Sequence, residues 1–300
     1  MSTPYILGID LGGTKIAAAA FDLDGKQLGK VTRLPTMAKM KQIVTLMNLK
    51  RVAKQAAVES GLEGPPQAVG MGSTGPLDIK EQLLLDADSL PNLMDFKIGR
   101  FVENELGGPL YLENDGACFT LGEARQGAGR GEPVVVGITL GTGFGCGITI
   151  NDQVYSGASN NAGEVAYCNV GKSNFDTACS GGAVAQHFDL MHGSAQNLDA
   201  RQIGELAAQN DDKALAVWKL YGISVGWAIG TIAAVIDPSL VVLGGSVAKQ
   251  LEFFREELEI VARTKLSLSA AERFRLEPSK LGDAAGVIGA AELARSAIFS

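Results

Sequence analysis

Apolar residues in this chain follow two spacings. Short uninterrupted apolar runs stop abruptly at glycine, as buried strands do, and longer stretches repeat every three or four positions, as amphipathic helices do. Residues 5–11 read as a strand, and residues 15–34 as two more joined at the Asp22-Leu-Asp-Gly-Lys26 turn, where Asp24-Gly25 is a hairpin signal. A helix is expected over 37–60, with Met40, Ile43, Val44, Leu46 and Met47 on its apolar side and Gly61 as its stop. A buried strand over 67–73 breaks at Thr74-Gly75-Pro76, a helix follows over 97–106, and a strand over 110–115 runs into another helix. Further helices are expected over 181–192, 202–209, 212–236 and 249–264, with a strand over 239–247 and a small-residue helix closing the chain.

The pattern begins again after Gly131-Glu132-Pro133. There "VVVGITLGTGFGCGITINDQVYSG" repeats the plan of "YILGIDLGGTKIAAAAFDLDGKQLG": an apolar strand, a Gly-Thr turn, a strand of small residues and a polar turn. This reads as an internal duplication, two like halves able to grip a ligand between them. The 300 residues suit two domains sharing a cleft.

Charge narrows the partners. With 33 acidic and 26 basic residues the net charge is −7, and phosphate neutralisation along nucleic acid needs clustered Lys and Arg, so no nucleic-acid partner is expected. The uncharged stretch Leu220 to Ile236 is just long enough for a membrane span, but its serine, threonine and glycines and its Asp237-Pro238 end suit a helix buried inside a large domain. The start "MSTPYILGID" carries no signal-peptide pattern, so a cytoplasmic location and no membrane partner are expected. Cys118, Cys146, Cys168 and Cys179 lack paired short spacing and read as reduced thiols.

Three turns carry the candidate chemistry. "DLGGT" (10–14), "LGTGFG" (140–145) and "LGGS" (243–246) each follow an apolar strand and present backbone N–H groups with little side-chain obstruction, as phosphate cradles do. Each also suits an ordinary turn; their order strengthens the first reading. Asn114-Asp115 sits where a strand becomes a helix, which suits either a helix N-cap or a carboxylate that accepts a proton from an attacking hydroxyl. His187 and His192 read as helix-surface or capping residues, Trp218 and Trp227 as core, and Arg125 and Arg130 as solvated loop charges.

These turns, with "LENDGA" (112–117) and "NNAGEVAY" (160–167), resemble the ROK family of bacterial sugar kinases, repressors and open reading frames, over nearly the whole chain. The resemblance implies an α/β, two-domain actin-like ATPase fold, a duplicated ribonuclease H-like unit with a central cleft. It implies a small N-terminal domain over 1–115, closed by a last helix at about 283–300, and a larger domain over 116–282. It implies ATP and Mg²⁺ as cofactors, a sugar as substrate and a homodimer. By position, Asp115 matches the general base and Asn114 its sugar-binding neighbour; Gly75, Asn92 and Glu164 match other sugar contacts. Asp10 matches the aspartate near Mg²⁺. Gly12, Gly13, Thr14 and Lys15 match the first phosphate turn, Thr142 and Gly143 the second, and Gly244 and Gly245 the adenosine turn.

Two departures stand out. The family's sugar-binding histidine after Glu164 is replaced by Tyr167, whose hydroxyl is expected to take its place at the sugar, and the family's cysteine cluster is absent, so the four N or S ligands of a tetrahedral zinc site are not expected. Asp176 falls where the family has a second sugar-binding glutamate, one methylene longer. The expected activity is ATP-dependent phosphorylation of a hexose or N-acetylated hexosamine, at its 6-hydroxyl, in the manner of a glucokinase. A catalytically weak sugar sensor and a polyphosphate-dependent sugar kinase are the alternatives.

Overall fold

The computed structural model describes residues 3–85, 89–171 and 173–299. The first half runs β1 (Ile6–Leu11), β2 (Lys15–Phe21), β3 (Thr32–Pro35), α1 (Gln42–Glu59), β4 (Ala68–Ser73), the small pair β5 (Leu77–Asp78) and β6 (Leu83–Leu84), α2 (Ile98–Leu106), β7 (Leu110–Asn114) and α3 (Asp115–Gln126). The second half runs β8 (Val134–Leu140), β9 (Phe144–Ile150), β10 (Gln153–Val154), the pair β11 (Asn169–Val170) and β12 (Ser173–Asn174), then α4 (Phe175–Cys179), α5 (Gly181–His192), α6 (Ala200–Ala208) and α7 (Asp212–Ile236). It ends with β13 (Leu240–Gly244), α8 (Arg255–Arg263), α9 (Leu268–Arg273), β14 (Leu276–Pro278) and α10 (Ala285–Phe299).

The repeat read in the sequence becomes a repeat of topology. One sheet has the order β3-β2-β1-β4-β7 and the other β10-β9-β8-β13-β14. In each, the first three strands are antiparallel neighbours and the last three are parallel. Parallel neighbours need crossovers, which the helices supply, so both faces of each sheet are covered and β1, β4, β8 and β13 are nearly continuous apolar runs.

The period of two along β1 decides where Asp10 points. Leu7, Ile9 and Leu11 pack with Leu46, Leu49 and Val52 of α1, whereas Ile6 faces Val287, Ile288 and Ala291 of α10. Asp10 shares that second face and lies against Gly286, in the first turn of α10. The last helix of the chain thus covers the first sheet. Reciprocally α3, which follows the first sheet, packs on the second through Phe119 and Ala124 against Val135, Leu240 and Val242. The exchanged helices cross where Gly289 meets the Cys118 carbonyl and Gly122 the Ala285 carbonyl, approaches that leave no room for a Cβ.

Several expectations need correction. The first long helix starts at Gln42, and Met40, Ile43 and Met47 are exposed; its buried stripe is Leu46, Leu49, Val52, Ala53, Ala56 and Ala57. Apolar residues lie on both faces of this helix, and only the stripe in register with the sheet is covered. The helix expected over 249–264 is a 3₁₀ stretch, Val247–Phe253, followed by α8. Arg125 is not a solvated loop charge: it sits in α3, pairs with buried Glu292 at 3.0 Å and donates to the Asp152 carbonyl. Trp218 is fully buried among Tyr221 and Phe254, and Trp227 is half-buried beneath the Lys265 ammonium. His192 is the last residue of α5, bonded to the Phe188 carbonyl, whereas His187 keeps a buried, unpartnered Nδ1. Among the described residues, α7 alone is long and apolar enough to cross a membrane, and it packs through Trp218, Tyr221 and Val225 into the second core.

Candidate active site

The site is built at the strand ends that carry the glycine turns. The chain leaves β7 at Asn114 and enters α3 at Asp115. Asn114 caps the helix, its Oδ1 accepting from the Gly116 and Ala117 N–H groups at 2.8 and 3.3 Å. Its Nδ2 is left to donate to Glu164 Oε1 at 2.8 Å. The two readings of Asn114-Asp115 therefore do not compete: the cap is the asparagine, and the carboxylate is free for other work.

Asp115 accepts from the Gly116 N–H at 2.8 Å and from Thr74 Oγ1 at 3.3 Å. Burial raises its pKa, and these hydrogen bonds offset only part of that. Glu164 is raised too, by burial first and by the Asp115 charge second. Gly75, joined to Pro76 by a cis peptide bond, closes this corner: a Cβ there would stand 3.0 Å from Glu164 Oε1 and 3.2 Å from Asn114 Nδ2. Thr74, Gly75, Asn114, Asp115 and Glu164 are thus one cluster, drawn from both halves of the chain.

Asp10 lies within electrostatic reach of Asp115. Its pKa is raised from 3.8 to about 6, mainly by burial and then by the Asp115 charge, with Lys15 and Arg33 pulling the other way. No described residue donates a hydrogen bond to its carboxylate. A half-buried carboxylate with no hydrogen-bond donor among the described residues is suited to a hard divalent cation. Mg²⁺ fits Asp10 on this ground.

Both glycine turns present unused amides. Gly12 N–H donates to the Lys15 carbonyl and Gly141 N–H to that of Gly143, which closes each turn, while Thr36 pins the first through the Gly12 and Thr14 carbonyls. The N–H groups of Gly13, Thr14, Thr142 and Gly143 have no acceptor among the described residues. Such amides bind anions. Gly245, with φ +91°, folds the third turn against Leu140 at the end of β8, so Gly244 and Gly245 stand beside the second turn.

Other expected site residues lie elsewhere. The Asn92 side chain donates to the Met40 carbonyl and to Thr45 Oγ1, which ties its loop to α1 and not to the Asn114–Glu164 corner. Asp176 reaches the second glycine turn, where its Oδ1 accepts from Phe144 N–H at 2.9 Å. Being one methylene shorter than glutamate, it stays at the turn and has no hydrogen bond to Asn114 or Glu164. Tyr167 is 74% exposed, and Cys168, also exposed, is far less covered than the fully buried Cys179. Arg125 and Arg130 line a groove with Lys26 and Asp152, at the strand ends opposite the glycine turns.

One site neighbour escapes sequence reasoning. Glu113 is buried at the end of β7; it accepts from the Asn114 N–H and, at 2.8 Å, from Ser156 Oγ in the loop that delivers Glu164. A charged residue inside the apolar strand "LYLEN" was its signal.

The sequence model of the ROK family matches residues 6–297. The chain belongs to the ROK family. Its fold is accordingly the actin-like ATPase fold, in two repeated halves. Among curated relatives, a glucokinase of Thermotoga maritima is 27% identical, the match covering 98% of each chain. An N-acetyl-D-glucosamine kinase of Pasteurella multocida is 30% identical over 95% of this chain and 98% of its own. A solved ROK family glucokinase from Streptomyces griseus, in complex with glucose and AMPPNP, superposes with a TM-score of 0.82 at 26% identity, over 97% of this chain and 99% of that one.

Proposed function

We propose that this ROK family member is an ATP-dependent sugar kinase that phosphorylates the 6-hydroxyl of a hexose or N-acetylated hexosamine, with Asp115 as general base. The observation that carries this reading is the placement of Asp115: a half-buried carboxylate at a helix N-terminus, beside the Asn114–Glu164 pair and within electrostatic reach of Asp10. The relatives named for glucose and N-acetylglucosamine phosphorylation support the acceptor class, and the AMPPNP-bound neighbour supports ATP as donor.

In this reading Asn114 and Glu164 hold sugar hydroxyls, and Gly75 leaves them room. The hydroxyl oxygen attacks the γ-phosphorus as the bond to the bridging oxygen breaks, and its proton passes to Asp115. A carboxylate with a raised pKa is a better proton acceptor at neutral pH than an exposed one. Thr74 fixes the orientation of that carboxylate. The free amides of Gly13, Thr14, Thr142 and Gly143 receive phosphate oxygens, Lys15 adds positive charge, and the Gly244-Gly245 turn borders the adenosine. Mg²⁺, held at Asp10, would neutralise phosphate charge when bound. Closure of the two halves about the crossing of α3 and α10 excludes water that would otherwise hydrolyse ATP. A cytoplasmic homodimer, with neither nucleic acid nor membrane as partner, completes the reading; sedimentation velocity and cell fractionation test it.

The test is ADP release coupled to a reporter, with Mg²⁺-ATP and a panel of hexoses and N-acetylated amino sugars, beside Asp115→Ala. Sugar-dependent turnover that disappears in the variant is the expected result. A variant with near-native turnover refutes the base assignment, and a wild type silent across the panel refutes the kinase.

A further inference from the structure

Asp176 touches two functional segments at once. Its backbone N–H donates to the Ala166 carbonyl at 2.9 Å, two residues after Glu164, at the end of the loop that delivers that glutamate. Its carboxylate accepts from Phe144 N–H at 2.9 Å, and Gly143 is bare where a Cβ would fall 2.6 Å from the same Oδ1. Asp176 itself is held in place. It lies in the first turn of α4, a helix capped by Asn174 Oδ1 on Thr177 N–H, and its neighbours Phe175 and Cys179 are buried.

We infer that Asp176 is a positioning residue that couples the sugar-binding loop to the second phosphate turn, rather than a ligand of the sugar. The inference rests on the kinase reading above. The turn Gly141-Thr142-Gly143 is closed on itself by one backbone bond, and Gly141 additionally accepts from Gly181 N–H. Asp176 takes up the next amide, Phe144, which orients the peptide planes of Thr142 and Gly143 with their N–H groups uncommitted. A sugar that draws Glu164 and Ala166 inward pulls on the backbone of Asp176, and the same residue carries that shift to the turn. Two ligands that order the same element bind cooperatively, and the coupling is reciprocal.

The test is calorimetric titration of Mg²⁺-AMPPNP into the wild type, Asp176→Ala and Asp176→Asn, without sugar and with glucose or N-acetylglucosamine at saturation; each sugar is also titrated alone. Sugar-dependent ADP release is followed in parallel, and thermal melts confirm that each variant is folded. A hydrogen bond to a charged acceptor is worth enough to change affinity about tenfold or more. The expected result is that Asp176→Ala weakens AMPPNP binding by about that factor, leaves affinity for sugar alone within about threefold, and abolishes the gain in AMPPNP affinity that sugar brings. Asp176→Asn, whose Oδ1 still accepts from Phe144, retains both. The inference is overturned if Asp176→Ala weakens sugar binding and spares AMPPNP, or if Asp176→Asn is as damaging as alanine. A wild type that binds AMPPNP but releases no ADP with any sugar refutes the kinase reading instead, and the titration still decides the role of Asp176.

Discussion

Replacing Asp10 by asparagine should stabilise this protein at neutral pH and do nothing at low pH. Asp10 is half-buried and largely desolvated, receives no hydrogen bond from the described residues and feels the Asp115 charge, so the folded state holds its proton more tightly than the unfolded chain does. Its pKa rises from 3.8 unfolded to about 6 folded. Below the unfolded value both states are protonated, and the neutral carboxyl keeps its full contribution to stability. As pH rises through the folded value that contribution is lost, because the folded state must then carry a poorly solvated charge. The shift of about two pKa units corresponds to about 3 kcal/mol. Asparagine has nearly the same shape and cannot ionise. With an unfolding entropy of about 2.1 cal/mol/K per residue, that energy raises the melting temperature of a chain this size by about 5 °C. The assay is thermal melting of both proteins in steps from about pH 4 to about pH 7.5, where the gap should open between the two pKa values and then level off. A gap that is constant across this range, or a variant less stable at neutral pH, refutes the argument that Asp10 is a strained charge. Mg²⁺-ATP should close much of the gap by stabilising the wild type preferentially, since only the carboxylate pairs with the cation.

Asp115→Asn should lower kcat about 10²- to 10⁴-fold with no loss in melting temperature, because it removes a proton acceptor and a poorly solvated charge together; steady-state kinetics and a melt check both halves. Ser156→Ala leaves one Glu113 oxygen without its hydroxyl donor and should cost about 1 kcal/mol while raising KM for the sugar more than KM for ATP, since the tie it breaks holds the loop carrying Glu164. Gly289→Val puts a branched side chain where the Cys118 carbonyl already sits and should destabilise by about 3 kcal/mol or more, read as a lowered denaturation midpoint. Tyr221→Phe removes the 2.6 Å bond from its hydroxyl to the Cys179 carbonyl, beneath α4, and should cost about 1 kcal/mol with little change in kcat.

Much of the candidate site was legible because its backbone leaves local signatures. A carboxylate ending an apolar strand, glycines at strand ends and an Asn-Asp pair at a strand–helix junction each mark a local backbone arrangement, so the clustering of Asp10, the glycine turns and Asp115 could be anticipated from neighbours in sequence. The duplication was legible for the same reason, as a repeated order of strand, turn and strand. What escaped depends on partners far along the chain. Glu113 is explained only by Ser156, and Arg125 only by Glu292 and the Asp152 carbonyl. Asp176 could be aligned with a sugar ligand, but its reach to Phe144 is fixed by how α4 packs, which no local pattern records. The exposed methionine face of α1 failed for a related reason: helical spacing gives two apolar faces, and the sheet selects one.

The exchange of α3 and α10 also sets a timetable. The face of the first sheet that carries Ile6, Gly8 and Gly70 is covered by residues 285–299, a helix synthesised long after β7 completes the strands of that sheet. A ribosome that has completed all five strands of that sheet has still not supplied its lid, and the apolar surface waits bare while residues 115–284 are made. The second sheet has no such delay, since α3 is made before its strands and is ready when they pair. Newly made chains should therefore need protection from aggregation at their N-terminal half, and truncation within the last fifteen described residues should unfold the beginning of the protein rather than its end.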